Sequence, residues 1–374
     1  MVNGAGIREW IVDRRQLLFS AAGAAATLST PGAAAARTIE KGAARRLQDS
    51  TLLVDGLDPS GLTEKYLGML EAAGVDVWHQ SMGGFDSFVK LQHFCDKYPD
   101  RIIQVKSVRE MRQAHKDGKI AHLSGWQSAE TLIRDADPIM PAIGNLRGYK
   151  ELGLRIVGLV YNVAGPFGGG ALDPGVGLTR AGKRLVEEIH KQRLVLDVGG
   201  HTGEQTSFDA LDISQGVPVI CSHTNLRALV DNERNMTDRL IEKIATTGGV
   251  IGLTSVNDFH ARTRKDTRPV TPQVAFEKHL DQYDYLKKLV GVDHIGLGPD
   301  FMYDRPELTA IVPELWPPDV YSNNPPWFMV KGYETISDLP NVTRGLMHRG
   351  WSDAEIRKVL GENWLRVYEK IWGE

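Results

Sequence analysis

Residues 179–202, TRAGKRLVEEIHKQRLVLDVGGHT, and residues 217–223, VPVICSH, decide how this chain folds. Leu185, Val186 and Ile189 recur at helical spacing behind Thr179, a residue type that caps helix N-termini, and charged residues fill the opposite face. The following run, RLVLDVG, is short, apolar and β-branched, and VPVICSH repeats it. Strands that are apolar throughout, rather than on alternate residues, belong to a parallel sheet covered by helices.

Working outward, the same grammar appears along the chain. Strands are expected at 52–57, 75–80, 119–126, 154–162, 193–199, 217–223, 249–255 and 294–301, with a further short one at RIIQVKS. Helical patterns lie between them, as in TEKYLGMLEAAG, FDSFVKLQHFCDKY and AFEKHLDQYDYLKKLVG. Eight strand–helix units favour a (β/α)8 TIM barrel over an open doubly wound sheet, which would carry a glycine-rich phosphate turn after its first strand; GLDPSG is not one. The closing SDAEIRKVLGENWLRVYEKIWGE reads as an amphipathic helix pair on the outside of the barrel. No repeat or linker divides residues 51–374, which are expected to form one domain.

The N-terminus reads differently. Arg14 and Arg15 precede a short apolar, Ala-rich run ending in small residues, the build of a twin-arginine export signal cleaved near Ala36. Residues 1–36 are therefore expected to be the signal and 37–50 a linker, with the mature protein periplasmic or secreted and without a membrane span. A disordered Ala-rich tail is the alternative. The net charge of -3, with mixed signs along the chain, offers no basic stripe for nucleic acid and no polybasic block for anionic membrane. Two cysteines, Cys95 and Cys221, do not make a disulfide framework.

A barrel carries its chemistry at the C-terminal ends of its strands. Those ends present Leu57 and Asp58, His79 and Gln80, Gln127, Tyr161 and Asn162, His201, His223, Asn257 and Asp258, and Asp300. Two imidazoles at consecutive strand ends, with a carboxylate, are a donor set suited to a zinc-like ion. A satisfied hydrogen-bonding role is the alternative for any single histidine. GLTRAGKR is a near miss for a phosphate loop, with Arg184 where a magnesium-binding hydroxyl belongs, and neither His-Glu-x-x-His nor Gly-x-Ser-x-Gly occurs. The aromatic loop VPELWPPDVYSNNPPWFMVKGYE, with Trp316 and Trp327, is placed where a barrel builds a pocket wall.

The wording of GKIAHLSGWQSAETL, LGLRIVGLVYN, VPVICSHTNLRAL, ERNMTDRLIEKIATTGGVIGL and GVDHIGLGPDF, from about residue 50 to the C-terminus, resembles the membrane (renal) dipeptidase family of zinc peptidases. That resemblance implies a (β/α)8 barrel with two zinc ions, cleavage of dipeptides and frequent homodimers. It places the first-strand His-x-Asp pair on Leu57 and Pro59, the bridging Glu on Gln127, and the remaining zinc ligands on His201, His223 and Asp300. It also places a substrate-orienting residue on Tyr161 and a carboxylate-binding one on Arg234. Leu57 and Pro59 offer no lone pair, and a neutral Gln127 amide is a poor bridge between two dications.

One divalent ion, zinc by preference, is therefore expected on His201, His223 and an oxygen from Gln127 or Asp300. Asp300 and Tyr161 are the expected catalytic residues, and Arg234 and Asn162 the expected substrate-binding ones. The expected activity is that of an exported enzyme acting on a small amide, peptide or amino-acid-derived substrate. Two alternatives stay open: a metal-free binder of a carboxylate-bearing ligand or partner, and an ordinary two-zinc dipeptidase. DVGGHT carries one residue more before His201 than the family pattern, which requires a bulge or shifted loop for that side chain to reach the mouth.

Overall fold

The computed structural model describes residues 42–134, 141–266, 268, 270–305 and 328–373. The expected signal segment, Trp316 and Trp327 lie outside the described residues. Among the described residues nine parallel strands follow one another as β1 (Val54–Asp55), β2 (Val77–Ser81), β3 (Ile102–Gln104), β4 (Ile120–Trp126), β5 (Leu154–Gly158), β6 (Val195–Asp197), β7 (Cys221–Thr224), β8 (Ile251–Leu253) and β9 (Ile295–Leu297). The order β1-β2-β4-β5-β6 forms one sheet and β7-β8-β9 another, with β3 paired to β4 alone.

Backbone bonds join the two sheets at both seams. Ile220 bridges Asp197, and its N–H donates to Leu196 at 3.0 Å; at the other seam Gly56 N–H donates to the carbonyl of Leu297 at 3.0 Å. Eight strands thus close into the expected (β/α)8 barrel, and RIIQVKS is the extra strand. The regular strands are shorter than the apolar runs that announce them; at β5, β6, β8 and β9 the run continues past the strand toward the mouth.

Alternation along each strand separates two cores. Val54, Val77, Ala121, Ile156, Val195, Ile220 and Val250 share an interior cluster, while their neighbours Leu53, Trp78, Val157, Leu196, Cys221 and Ile251 pack in the layer between sheet and helices. The helix Arg180–Lys191 shows how the sequence builds that layer. Thr179 accepts from Gly182 N–H at 3.0 Å, and Leu185, Val186 and Ile189 are buried on one stripe. Two further helices, Val108–Lys116 and Glu204–Ile213, complete units that were not among the expected helical patterns.

Two expectations need correction. The C-terminal segment is not on the barrel's outside: Trp364, Leu365, Val367 and Tyr368, in the helix Asn363–Trp372, belong to the interior cluster. A Cβ at Gly56 would lie 2.4 Å from the Trp364 ring, and one at Gly296 would lie 2.5 Å from it. Those glycines let the indole seal the barrel floor. Replacing Trp364 by Ala removes that plug at a cost of about 3–5 kcal/mol. Nor is the stretch to residue 50 all linker, since Ala43–Asp49 is a helix with Ala44 and Leu47 buried.

Candidate active site at the barrel mouth

The end of β1 is packed shut. Leu57 and Asp58 are fully buried. Asp58 Oδ1 accepts from Ser60 N–H at 2.8 Å, its Oδ2 accepts from the Tyr66 hydroxyl, and its backbone carbonyl takes the Trp78 indole N–H at 3.0 Å. Asp58 is therefore a turn residue bound to its own loop, not a spare ligand. Burial raises its carboxyl to about 6 against the pull of the Ser60 and Tyr66 bonds. The Asp55 carboxyl beside it is held well above its usual range, by burial and by the charge of Asp58.

The end of β2 is only partly committed, because His79 Nε2 is buried with no hydrogen-bond partner. His79 Nδ1 contacts the carbonyl of Gly56, and a Cβ at Gly125 would lie 2.0 Å from His79 Nε2. The imidazole thus crosses from the first strand toward the third barrel strand, in space that only glycine leaves open. Desolvation lowers His79 to about 4, so it is neutral. Gln80 is held by His122 at 2.9 Å and by the Ser60 carbonyl at 2.7 Å. On the far side, Asn257 Oδ1 accepts from Val274 N–H at 2.8 Å, and Asp258 faces Arg262 at 3.7 Å.

The ends of β5, β6 and β7 bring most of the expected residues together. The His201 and His223 rings lie 4.9 Å apart, and Tyr161 stacks on His201 with centroids 3.8 Å apart and planes 20° from parallel. The chain reaches His201 through Gly199 and Gly200, the latter at φ +48°. A Cβ at Gly200 would meet the Arg234 guanidinium at 2.5 Å and the His223 carbonyl at 2.6 Å. At β7 the register with β8 shifts between Cys221 and Thr224, which breaks the simple alternation where His223 sits.

Each imidazole is tied at Nδ1. His201 Nδ1 lies 2.8 Å from Asn162 Oδ1. An amide oxygen only accepts, so that nitrogen carries the proton and Nε2 keeps the lone pair. Arg234 Nη2, a donor, approaches that lone pair at 3.4 Å. His223 Nδ1 lies 2.7 Å from Ser222 Oγ, and its Nε2 is buried with no hydrogen-bond partner. Burial and the nearby guanidinium hold both imidazoles well below their usual pKa, His201 pressed further by His223 and His223 by His79. Both are neutral at physiological pH.

Asn162 therefore has its amide oxygen on His201 rather than turned to a ligand. Its φ of +57°, like that of Asp300 at +62°, is in the left-handed region that non-glycine residues seldom adopt. Asp300 N–H donates to the Leu57 carbonyl at 3.0 Å, and burial raises its carboxyl to about 7, with Arg234 lowering and Asp58 raising it. Gln127 is half-buried beyond the end of β4, and its backbone carbonyl packs against Gly158. Arg234 is almost fully buried, faces the Phe259 ring at 5.1 Å, and forms one wall of a cleft with Gly200, Thr202, Thr224, Arg227 and Glu233.

The arrangement bears directly on metal binding. A two-ion centre does not fit: Leu57 and Pro59 supply no donor, Asp58 is engaged by its loop, and among the described residues no group of three His, Cys, Asp or Glu is placed to hold an ion. Two imidazole Nε2 atoms do fit part of a single-ion sphere. The bare, buried Nε2 of His223 and the Nδ1 anchors on both rings are what such ligands need.

A closed eight-stranded parallel barrel with paired imidazoles, a buried arginine and a buried carboxyl at its mouth has the outline of a barrel hydrolase. Residues 84–309 and 327–372 match the membrane dipeptidase family (Peptidase family M19), and the chain belongs to that family of metal-dependent hydrolases. It is 27% identical over 299 residues to the dipeptidase tcpJ of Claviceps purpurea, an alignment spanning 79% of this chain and 61% of that protein. An amidohydrolase from Pseudomonas aeruginosa has the same fold with a TM-score of 0.77 and 26% identity, over 88% of this chain and 99% of that one. A metallo peptidase from Rhodobacter sphaeroides, liganded with a phosphinate mimic of the dipeptide L-Ala-D-Ala, superposes with a TM-score of 0.68 at 20% identity, over 86% of this chain and all of that one.

Proposed function

We propose that this protein is an exported hydrolase that cleaves or processes a small amide, short peptide or amino-acid-derived substrate, using one divalent ion, zinc by preference, where the family pattern has two. The observation that carries this reading is the pair of neutral imidazoles at the ends of β6 and β7, each anchored at Nδ1, with the Nε2 of His223 buried and unpartnered and that of His201 met only by Arg234. His201 and His223 would hold the ion, with oxygen from Gln127, Asp300 or the substrate completing the sphere. Such an ion polarises an amide carbonyl or activates water.

The chain's own residues supply the rest. Arg234, walling the cleft beside Gly200 and Thr202, pairs with a substrate carboxylate. In doing so it leaves the Nε2 of His201, against which it lies without ligand. Asp300 has a carboxyl raised to about 7, which lets it take a proton from water and return it near neutral pH. Tyr161, flat against His201, is the group whose phenol would donate to a developing oxyanion or leaving group.

Carboxylate binding without chemistry is the second reading, and one observation favours it: the cation of Arg234 occupies the approach to His201 Nε2. A panel of dipeptides and N-acyl amino acids, assayed on the mature protein with and without added zinc, separates the two. Zinc-dependent hydrolysis of at least one substrate, with KM raised in Arg234→Met, supports the hydrolase. Ligand binding by calorimetry that is unchanged by zinc, with no turnover, supports the binder and removes the first reading.

A further inference from the structure

The cleft that Arg234 walls is lined by three more charged side chains, Glu204, Arg227 and Glu233. Two of them answer each other. Arg227 Nη1 lies 3.6 Å from Glu204 Oε2, and Glu204 Oε1 accepts from the Thr237 hydroxyl at 2.8 Å. The turn at 232–235 is held from several sides. Arg227 donates to the carbonyls of Asn232 and Glu233 at 3.3 and 2.9 Å, Asn232 Oδ1 accepts from Arg234 N–H at 2.9 Å, and Asn235 Nδ2 donates to the carbonyls of Val230 and Phe259 at 2.8 and 2.9 Å.

The carboxylate of Glu233 stands outside this net. It is half-buried, and among the described residues it makes no ion pair and no hydrogen bond to another residue. Arg264, whose charge also reaches it, is paired with Asp231 at 2.6 Å. Thr202 lines the same cleft, and its hydroxyl is buried with no hydrogen-bond partner. A partly desolvated carboxylate and a buried hydroxyl without partners both cost stability, and both accept from an ammonium or guanidinium.

Charge balance then describes the ligand. Arg227 offsets Glu204 and Arg264 offsets Asp231, so once Arg234 meets a substrate carboxylate, Glu233 is the charge left over. We infer, on the reading that Arg234 holds a substrate carboxylate, that Glu233 is a specificity-determining residue and that the substrate residue bearing this carboxylate also bears a cation. The α-nitrogen of that residue is taken up in the scissile amide, and a free N-terminal amine lies across the scissile bond. The cation therefore belongs to a basic side chain, an ammonium or guanidinium on an alkyl stem.

The test is ligand-observed NMR titration of the purified protein with 6-aminohexanoate, hexanoate and adipate, which share a carboxylate and a chain length, differ in the charge at the far end and contain no amide to be cleaved. The expected order is 6-aminohexanoate tighter than hexanoate by about tenfold, the gain of a hydrogen bond to a charged group, with adipate weakest. Glu233→Gln, which keeps size and shape, should erase the lead of 6-aminohexanoate, and Arg234→Met should weaken all three. Equal affinities for 6-aminohexanoate and hexanoate, or a lead that survives Glu233→Gln, overturn the role of Glu233; weakening in Arg234→Met would leave the carboxylate reading standing in that case. No binding of any of the three, or binding untouched by Arg234→Met, defeats the carboxylate reading and the role of Glu233 with it. Should Glu233→Gln fail to fold, the order of the three ligands on the unsubstituted protein decides.

Discussion

The end of β1 and the ends of β6 and β7 occupy equivalent places around one barrel, yet they are built in opposite ways. At β1, the polar atoms of Asp58 are taken up by their neighbours, the carboxylate by Ser60 and Tyr66 and the carbonyl by Trp78, while Asp55 Oδ2 is left without a hydrogen-bond partner. At β6 and β7, each imidazole is anchored on its Nδ1 side, His201 Nε2 meets only Arg234, and Nε2 of His223 is left bare. Satisfied polar groups make a plug, whereas a buried lone pair without a partner costs stability and persists where something else engages it. On the reading proposed above, the β1 side of the mouth is packing and the side at β6 and β7 has the arrangement of a site.

The largest expected effect comes from breaking the open side. His223→Ala and His201→Ala should each lose the bound ion on dialysis and abolish zinc-dependent turnover, read by elemental analysis and assay; retention of a stoichiometric ion in both would put the site elsewhere. Trying to reopen the closed side is the complementary experiment. Leu57→His combined with Pro59→Asp should gain no second ion. It should destabilise the fold by about 1–3 kcal/mol per buried polar group left unsatisfied, measured by urea unfolding. A second ion in that variant would mean that the plug yields more readily than its hydrogen bonds imply.

Arg234→Met sharpens the comparison from within the open side. Removing a cation that lies 3.4 Å from His201 Nε2 should tighten zinc binding, on the order of tenfold, while weakening any carboxylate-bearing substrate. Looser zinc binding would mean that the guanidinium supports the site instead of competing with it. Gly200→Ala is a milder probe of the same side. A φ of +48° and a Cβ 2.5 Å from Arg234 predict a loss of about 1–3 kcal/mol in stability.

The smallest effect concerns pH at the plugged end. Asp58, raised to about 6, contributes stability at low pH that is lost as pH rises from its unfolded range through about 6. His79, lowered to about 4, contributes stability at neutral pH that is lost as pH falls from its unfolded value through about 4. The two slopes oppose each other in one window. Asp58→Asn deletes the first, so its unfolding midpoint should fall more steeply than that of the unsubstituted protein between neutrality and pH 4. Parallel curves would remove Asp58 as the counterweight.

The barrel was readable because its strands are continuous apolar runs and each core helix repeats its stripe at three- and four-residue spacing. Which polar residues stand at the mouth was readable too, since strand ends follow from strand positions. What each of them touches was not. Nothing local to Asn162 says that its oxygen meets His201 from 39 residues away, and nothing local to Arg234 places its guanidinium over Gly200. The C-terminal stripe was legible as amphipathic, but a helix that plugs a barrel floor and one that packs outside it carry the same periodicity. Gly56 and Gly296, which make room for Trp364, become meaningful only once the strands are side by side.

The central claim is that the mouth holds one ion at its open side and none at its plugged side. Elemental analysis of the purified mature protein after dialysis against limiting zinc tests it most directly. The expected result is about one ion per chain, lost in both histidine variants, as a site with three protein ligands and one open position would give. Two ions per chain would contradict it, because a second would need donors that the packed end of β1 does not provide.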